Sequence, residues 1–112
     1  MKYLSHTRRT LALAATLALA GTAALAQDFP AKPITFVVPF AAGSATDQLA
    51  RALGQSVSDQ AKQAVVVDNK GGASGQIAAA QVARAPADGY TVLITTNTTH
   101  AANEHLYKKL SY

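Results

Sequence analysis

Three short runs of aliphatic, largely β-branched residues constrain this chain more than any other feature: Ile34-Thr35-Phe36-Val37-Val38, Val65-Val66-Val67 and Tyr90-Thr91-Val92-Leu93-Ile94-Thr95. They are continuous rather than alternating, which is the pattern of strands covered on both faces. Between the first two, Leu49, Ala50, Leu53 and Val57 recur at helical spacing and share one face. Between the second and third, Gln76 to Ala85 is built of small residues, Ile77 and Val82 excepted, so a helix there can lie close against a sheet. A third helix is expected over Ala101 to Leu110, with Leu106 and Leu110 four apart and Lys108 and Lys109 near the end that favours cations. Pro39, Pro86 and Asp88-Gly89 punctuate these segments, and Ser44 with Asp47 three residues on has the spacing of a capping box. The βαβαβα order predicts an α/β fold, a parallel sheet with right-handed crossovers and covering helices.

Ahead of the first strand, residues 1–26 have the layout of a secretory signal. Lys2, Arg8 and Arg9 form a positive head, Leu11 to Leu19 an uncharged Ala/Leu run, and Ala24-Leu25-Ala26 a small-residue cleavage site. The run is shorter than the roughly 20 apolar residues of a spanning helix, so no stable membrane insertion is expected once the signal is cut. Arg8-Arg9 leaves a twin-arginine route as the alternative to the expected Sec route to the periplasm. Residues 1–26 carry three of the ten Lys and Arg and none of the six Asp and Glu, so the remainder is near neutral. Its cations are scattered apart from Lys108-Lys109, which argues against nucleic acid as a partner. The absence of cysteine excludes disulfides and thiolate metal sites.

In an open parallel sheet, ligands bind beyond the carboxyl ends of the strands. Three exits therefore matter: Phe40 to Asp47, Asn69 to Gln76 and Thr96 to Asn103. All are rich in Gly, Ala, Ser, Thr and Asn, and the first two lead into helix N-termini, whose N–H groups and dipole favour an anion. The expected guest is negatively charged and held by backbone donors. The candidate ligand residues are Phe40, Ala42, Gly43, Ser44 and Asp47 from the first exit, Ser74 and Gly75 from the second, and Thr96, Thr98, Thr99, His100 and Asn103 from the third. Taken singly, Gly43, Gly72 and Gly75 are explained by turns, Asp47 by helix capping and the threonines by strand propensity. Their convergence is what raises them above that. His100 and His105 are five apart, which is not the spacing of a helical metal pair, and no metal or cofactor is expected.

Enzyme motifs fail by small margins. Gly72-Ala73-Ser74-Gly75 lacks the final glycine of a nucleophile elbow, Gln76 standing in its place. A dinucleotide fingerprint ending at Gly72 and Gly75 needs glycine where Lys70 stands, and Ala42-Gly43-Ser44-Ala45 does not extend into a phosphate-binding loop. No enzyme activity is expected on these grounds.

The chain from Phe29 to Tyr112 resembles the Bug-type receptors of tripartite tricarboxylate transporters. The resemblance is carried by Phe29-Pro30-Ala31-Lys32-Pro33-Ile34, by Val38-Pro39-Phe40-Ala41-Ala42-Gly43 with Thr46-Asp47, and by Val66-Val67-Asp68-Asn69 leading to Gly75. It continues through Ala85-Pro86-Ala87-Asp88-Gly89-Tyr90-Thr91 and Thr99-His100-Ala101 with Asn103 and Leu106-Tyr107. It implies a two-lobed clamshell of the type II periplasmic binding protein class that closes on a small carboxylate and presents it to membrane permease subunits. By motif match it points to Phe40, Ala42, Gly43, Asp47, Gly75, Thr99, His100 and Asn103 as ligand residues.

Several positions depart from that pattern. Ser44, Ala45 and Ser74 stand where glycine is usual, Lys70-Gly71 where Arg-Pro is usual, and Glu104 where proline is typical. Side chains at 44, 45 and 74 are expected to narrow the site or alter its preference. The resemblance also implies a second lobe, so residues 27–112 are expected to be an incomplete N-terminal lobe that binds weakly by itself. A small Rossmann-like nucleotide binder or enzyme, and an exported non-functional remnant, remain open as alternatives.

Overall fold

The computed structural model describes residues 28–112, and the expected leader over residues 1–26 lies outside the described residues. The strands are β1 (Ile34–Val38), β2 (Val65–Asn69) and β3 (Thr91–Leu93). The helices are α1 (Ala45–Ala61), α2 (Gln76–Ala83) and the short α3 (Asn103–Leu106). β1 is central in the order β2-β1-β3, and both pairings are parallel. Ile34 stands opposite Val65 and Thr35 opposite Thr91. Backbone bonds from Lys70 to Val38 (2.7 Å) and from Ile94 to Val37 (2.9 Å) carry both ladders just past the strand ends. All three carboxyl ends therefore share one rim, as the βαβαβα order predicts.

The chain steps to one side of β1 for β2 and to the other for β3. With right-handed crossovers, that reversal sends α1 and α2 to opposite faces of the sheet. α1 packs on β1 and β2, and α2 on β1 and β3. The core is Ile34, Phe36, Val37 and Val38 of β1, held between Ala50 of α1 and Ala78, Ala79 and Ala80 of α2. Only β1 has the two-faced burial that its continuous apolar run predicts. On the flanking strands coverage is partial, and Val66 is 51% exposed.

Two helical expectations need correction. The buried line of α1 is Asp47, Ala50 and Gly54, whereas Leu49 and Leu53 of the anticipated stripe are 64% and 44% exposed. The cause is close approach: a Cβ on Gly54 would meet Val65 Cγ1 at 3.0 Å, so the small residues face the sheet and the leucines fall on the neighbouring line. The third helix begins earlier and ends earlier than its leucine spacing implies. A π-helical turn, Thr98–Ala102, runs into α3, and Tyr107 is already extended at φ −120°. Leu106 is 70% exposed and anchors nothing, while the Tyr107 hydroxyl lies 2.9 Å from Ser74 Oγ and ties the chain to the second exit.

A clasp closes the opposite rim. Ala31 N–H donates to the Tyr90 hydroxyl (2.7 Å), Lys32 sits 4.4 Å above the Tyr90 ring and 3.0 Å from Asp88, and Phe29 packs on Tyr90 at 4.9 Å. The Tyr90 N–H, followed by Lys32, holds the Asp88 carboxyl below its ordinary range. The proline-rich approach to β1 is thereby fixed to the start of β3.

Candidate ligand site at the strand exits

At the first exit, Ser44 caps α1 by accepting from the Asp47 N–H at 3.2 Å. The reciprocal half of the capping box is displaced by one residue. Asp47 accepts from the Gly43 N–H at 2.8 Å, and Ser44 N–H instead donates to the Ala41 carbonyl. Asp47 is 2% exposed and also accepts from Arg51 Nε and Asn69 Nδ2, each at 3.0 Å. Asn69 Nδ2 reaches the Phe40 carbonyl as well (3.0 Å), so one buried carboxylate stitches the first loop, α1 and the end of β2 together. Its pKa is lowered from 3.8 to about 2, first by the hydrogen bond from Arg51 and then by those from Gly43 and Asn69. An ionised carboxylate with these partners no longer repels an anion as a bare one would. The N–H groups of Ala45 and Thr46, in the first turn of α1, have no intrahelical acceptor.

The second exit has an unusual backbone. Gly72, Ala73, Ser74 and Gly75 all have positive φ, and two of them are not glycine. Ser74 at φ +51° occupies a left-handed conformation that glycine adopts without steric penalty, which accounts for the glycine usual there in the resembling pattern. Gly75 is where the exits meet. A Cβ on it would lie 2.5 Å from Thr99 Oγ1 and 3.2 Å from Pro39 Cβ, so residues following β1, β2 and β3 are in direct apposition.

The third exit closes on the second. Thr99 Oγ1 pairs with Thr95 Oγ1 at 2.7 Å, and Asn103 Nδ2 donates to the Ser74 carbonyl at 2.9 Å. Tyr112, at the end of the described chain, donates from its hydroxyl to the Thr99 carbonyl and lies 3.4 Å from Asn103 Nδ2.

The twelve sequence candidates fall into two groups. Asp47, Gly75, Thr99 and Asn103 are buried and form a frame, whereas Ala42, Gly43, Ser74, Thr96, Thr98 and His100 are exposed around it, with Phe40 and Ser44 half-buried. His100 stacks loosely on Tyr112 at 5.7 Å. Sequence reasoning missed Arg51, Tyr107 and Tyr112 as members of this region, and it placed Asn69 at the start of the second exit without its link to Asp47. Arg51 was readable, since it stands one helical turn after Asp47, whereas the Asn69–Asp47 contact spans 22 positions and needs the fold. A separate concavity of about 310 Å³ lies between α1 and β2, lined by Gly54, Gln55, Ser58 and Val65 among others. It is away from the three exits, and its one cation, Arg51, is engaged by Asp47 and Asn69.

Residues 49–112 match the model of the tripartite tricarboxylate transporter family receptor, TctC. The chain belongs to this receptor family. Among curated relatives, Protein BugT of Bordetella pertussis is 43% identical over 72 residues, covering 64% of this chain and 22% of that one. Among solved structures, Rpa4515 of Rhodopseudomonas palustris with adipate superposes with a TM-score of 0.73 at 46% identity, over 76% of this chain and 28% of that one. MatC of the same organism, with bound malate, gives 0.71 at 39%, over 75% and 29%. These relatives are solute receptors and binding proteins rather than enzymes. The TctC-family chain described here spans about a quarter of the length of the curated relatives it matches. Among its described residues no helix is long and apolar enough to cross a membrane.

Proposed function

We propose that this chain is the N-terminal part of the first lobe of a periplasmic solute receptor that captures a small carboxylate at the strand exits. On this reading residues 1–26 direct export by the Sec route, and residues 27–112 supply one wall of a clamshell. The loaded receptor delivers its solute to the permease subunits of a tripartite carrier. The observation that carries the reading is the packing of Gly75 between Pro39 and Thr99, which brings three strand exits to one point on one rim. Two further features support it. The first turn of α1 offers N–H donors to an anion, and the adipate and malate held by solved relatives belong to this ligand class.

Within the site, Gly43, Ser74, Thr98 and His100 are assigned to the ligand-facing lip, and Asp47, Gly75, Thr99 and Asn103 to the frame that orients it. Titration of the purified chain with adipate and with malate, followed by amide NMR shifts, tests the reading. The expected response is confined to residues 40–47, 72–76 and 96–103. Shifts confined to the α1–β2 concavity, or none at tens of millimolar acid, would overturn it.

A further inference from the structure

Ser74 lies at φ +51° and ψ +37°, and Ala73 before it at φ +46°, so two consecutive residues with a Cβ occupy the left-handed region. Outside glycine such a conformation persists where surrounding contacts over-determine it. Two hydrogen bonds reach Ser74 among the described residues, and both come from α3 and its C-cap. Asn103 Nδ2 donates to the Ser74 carbonyl at 2.9 Å, and the Tyr107 hydroxyl pairs with Ser74 Oγ at 2.9 Å. Asn103 and Tyr107 are four apart and joined by the bond from the Tyr107 N–H to the Asn103 carbonyl (2.9 Å), so they stand one above the other on one face. One residue is thus gripped at its backbone and at its side chain by neighbours one helical turn apart. The turn it belongs to is closed by the Gly75 N–H donating to the Gly72 carbonyl at 3.0 Å and by the Gln76 N–H donating to the Ala73 carbonyl.

We propose that Asn103 and Tyr107 are the two jaws of a clamp that holds Ser74 left-handed against its intrinsic preference, and that Tyr107 is thereby a positioning residue for the lip of the second exit. The clamp stands on the contacts alone, while its part in binding rests on the receptor reading above. The left-handed penalty of one residue and the net worth of one neutral hydrogen bond are of similar size. Losing one jaw therefore leaves the turn open in an appreciable fraction of molecules. Only the closed fraction is competent to bind, so the apparent affinity falls with it. The clamp also joins two exits, because a displacement of α3 is passed to Ser74 through both jaws.

Amide hydrogen exchange at Gly75 and Gln76 tests the clamp without ligand, since the hydrogen bonds of these two amides belong to the closed turn. Tyr107→Phe, which removes only the hydroxyl, should speed exchange there about five-fold, the weight of one ordinary hydrogen bond. Ser74→Ala loses the same bond and keeps the Cβ, so it should behave likewise. Ser74→Gly loses the bond and the penalty together, and should exchange no faster than the original chain. A hydrogen bond with no strain to oppose would make the alanine and glycine variants alike. Unchanged exchange in Tyr107→Phe, or equal acceleration in Ser74→Ala and Ser74→Gly, overturns the clamp.

Adipate titration followed by amide NMR shifts tests the positioning role. Tyr107→Phe should bind about two- to five-fold more weakly than the original chain, and the same substitution made on Ser74→Gly should change nothing further. If Tyr107→Phe speeds exchange at the turn yet binds adipate as the original chain does, Tyr107 positions nothing and the proposal fails. If the exchange results hold while adipate perturbs no exit in any of these chains, the clamp is upheld and it is the receptor reading that falls.

Discussion

Gly43 and Gly75 have the same φ, +84°, yet their surroundings differ completely. A Cβ at 43 meets nothing within 4 Å, whereas one at 75 collides with Thr99 and Pro39. Gly43→Ala should therefore cost only the left-handed penalty, about 1 kcal/mol. Gly75→Ala adds overpacking to that penalty and should cost on the order of 3 kcal/mol. Urea unfolding of both variants checks the contrast, and equal losses would mean that the exits are not in contact. Asp47 gives a pH prediction. Its folded pKa of about 2 lies below the ordinary 3.8, so its stabilising contribution is complete above about pH 4 and is lost as pH falls towards about 2. Asp47→Asn removes the carboxylate while keeping its shape, so the variant should be less stable near neutrality and lose less on acidification through that window. Parallel acid-limb slopes for the two proteins would show that the carboxylate is not engaged as described.

At the scale of elements, position in the sheet decides what each valine contributes. Val37 on the central strand is fully buried, while Val66 on β2 is 51% exposed. Val37→Ala should cost about 2–3 kcal/mol from lost burial and the cavity left behind, and Val66→Ala about 0.5 kcal/mol. Chemical denaturation distinguishes them, and comparable losses would contradict the assignment of β1 as the centre. The sequence displayed the three strands and two crossover helices because continuous β-branched runs and small-residue periodicity are local signals. It could not display which strand is central, since strand order follows from crossovers and not from composition. Helix facing was misjudged for the same reason: Leu49 and Leu53 have the stronger apolar signal, but Gly54 permits the closer approach to Val65, and approach decided the outcome. The exits were located from the strand ends alone. The buried links among them, Asn69 to Asp47 and Asn103 to Ser74, join residues 22 and 29 positions apart and leave no mark in local pattern.

At the scale of the molecule, the described segment brings three strand exits to one rim, and the curated relatives it matches are about four times its length. Affinity in a clamshell is divided between two surfaces. If a complete receptor holds its acid near micromolar, the binding free energy is about −8 kcal/mol, and half of that corresponds to a Kd of about 1 mM. Closure also excludes water and strengthens each hydrogen bond to the guest, so an unclosed half loses more than simple division implies. The expected result for this chain is thus weak, rapidly exchanging binding at about millimolar acid or above, visible as gradual NMR shifts at the exits and invisible to calorimetry at micromolar concentrations. The frame should be insensitive to this weakness, because Asp47, Gly75, Thr99 and Asn103 are positioned by protein contacts and not by the ligand. Submicromolar affinity in the isolated chain would mean that the three exits enclose their guest without a second wall, and the division of binding between two lobes would have to be abandoned.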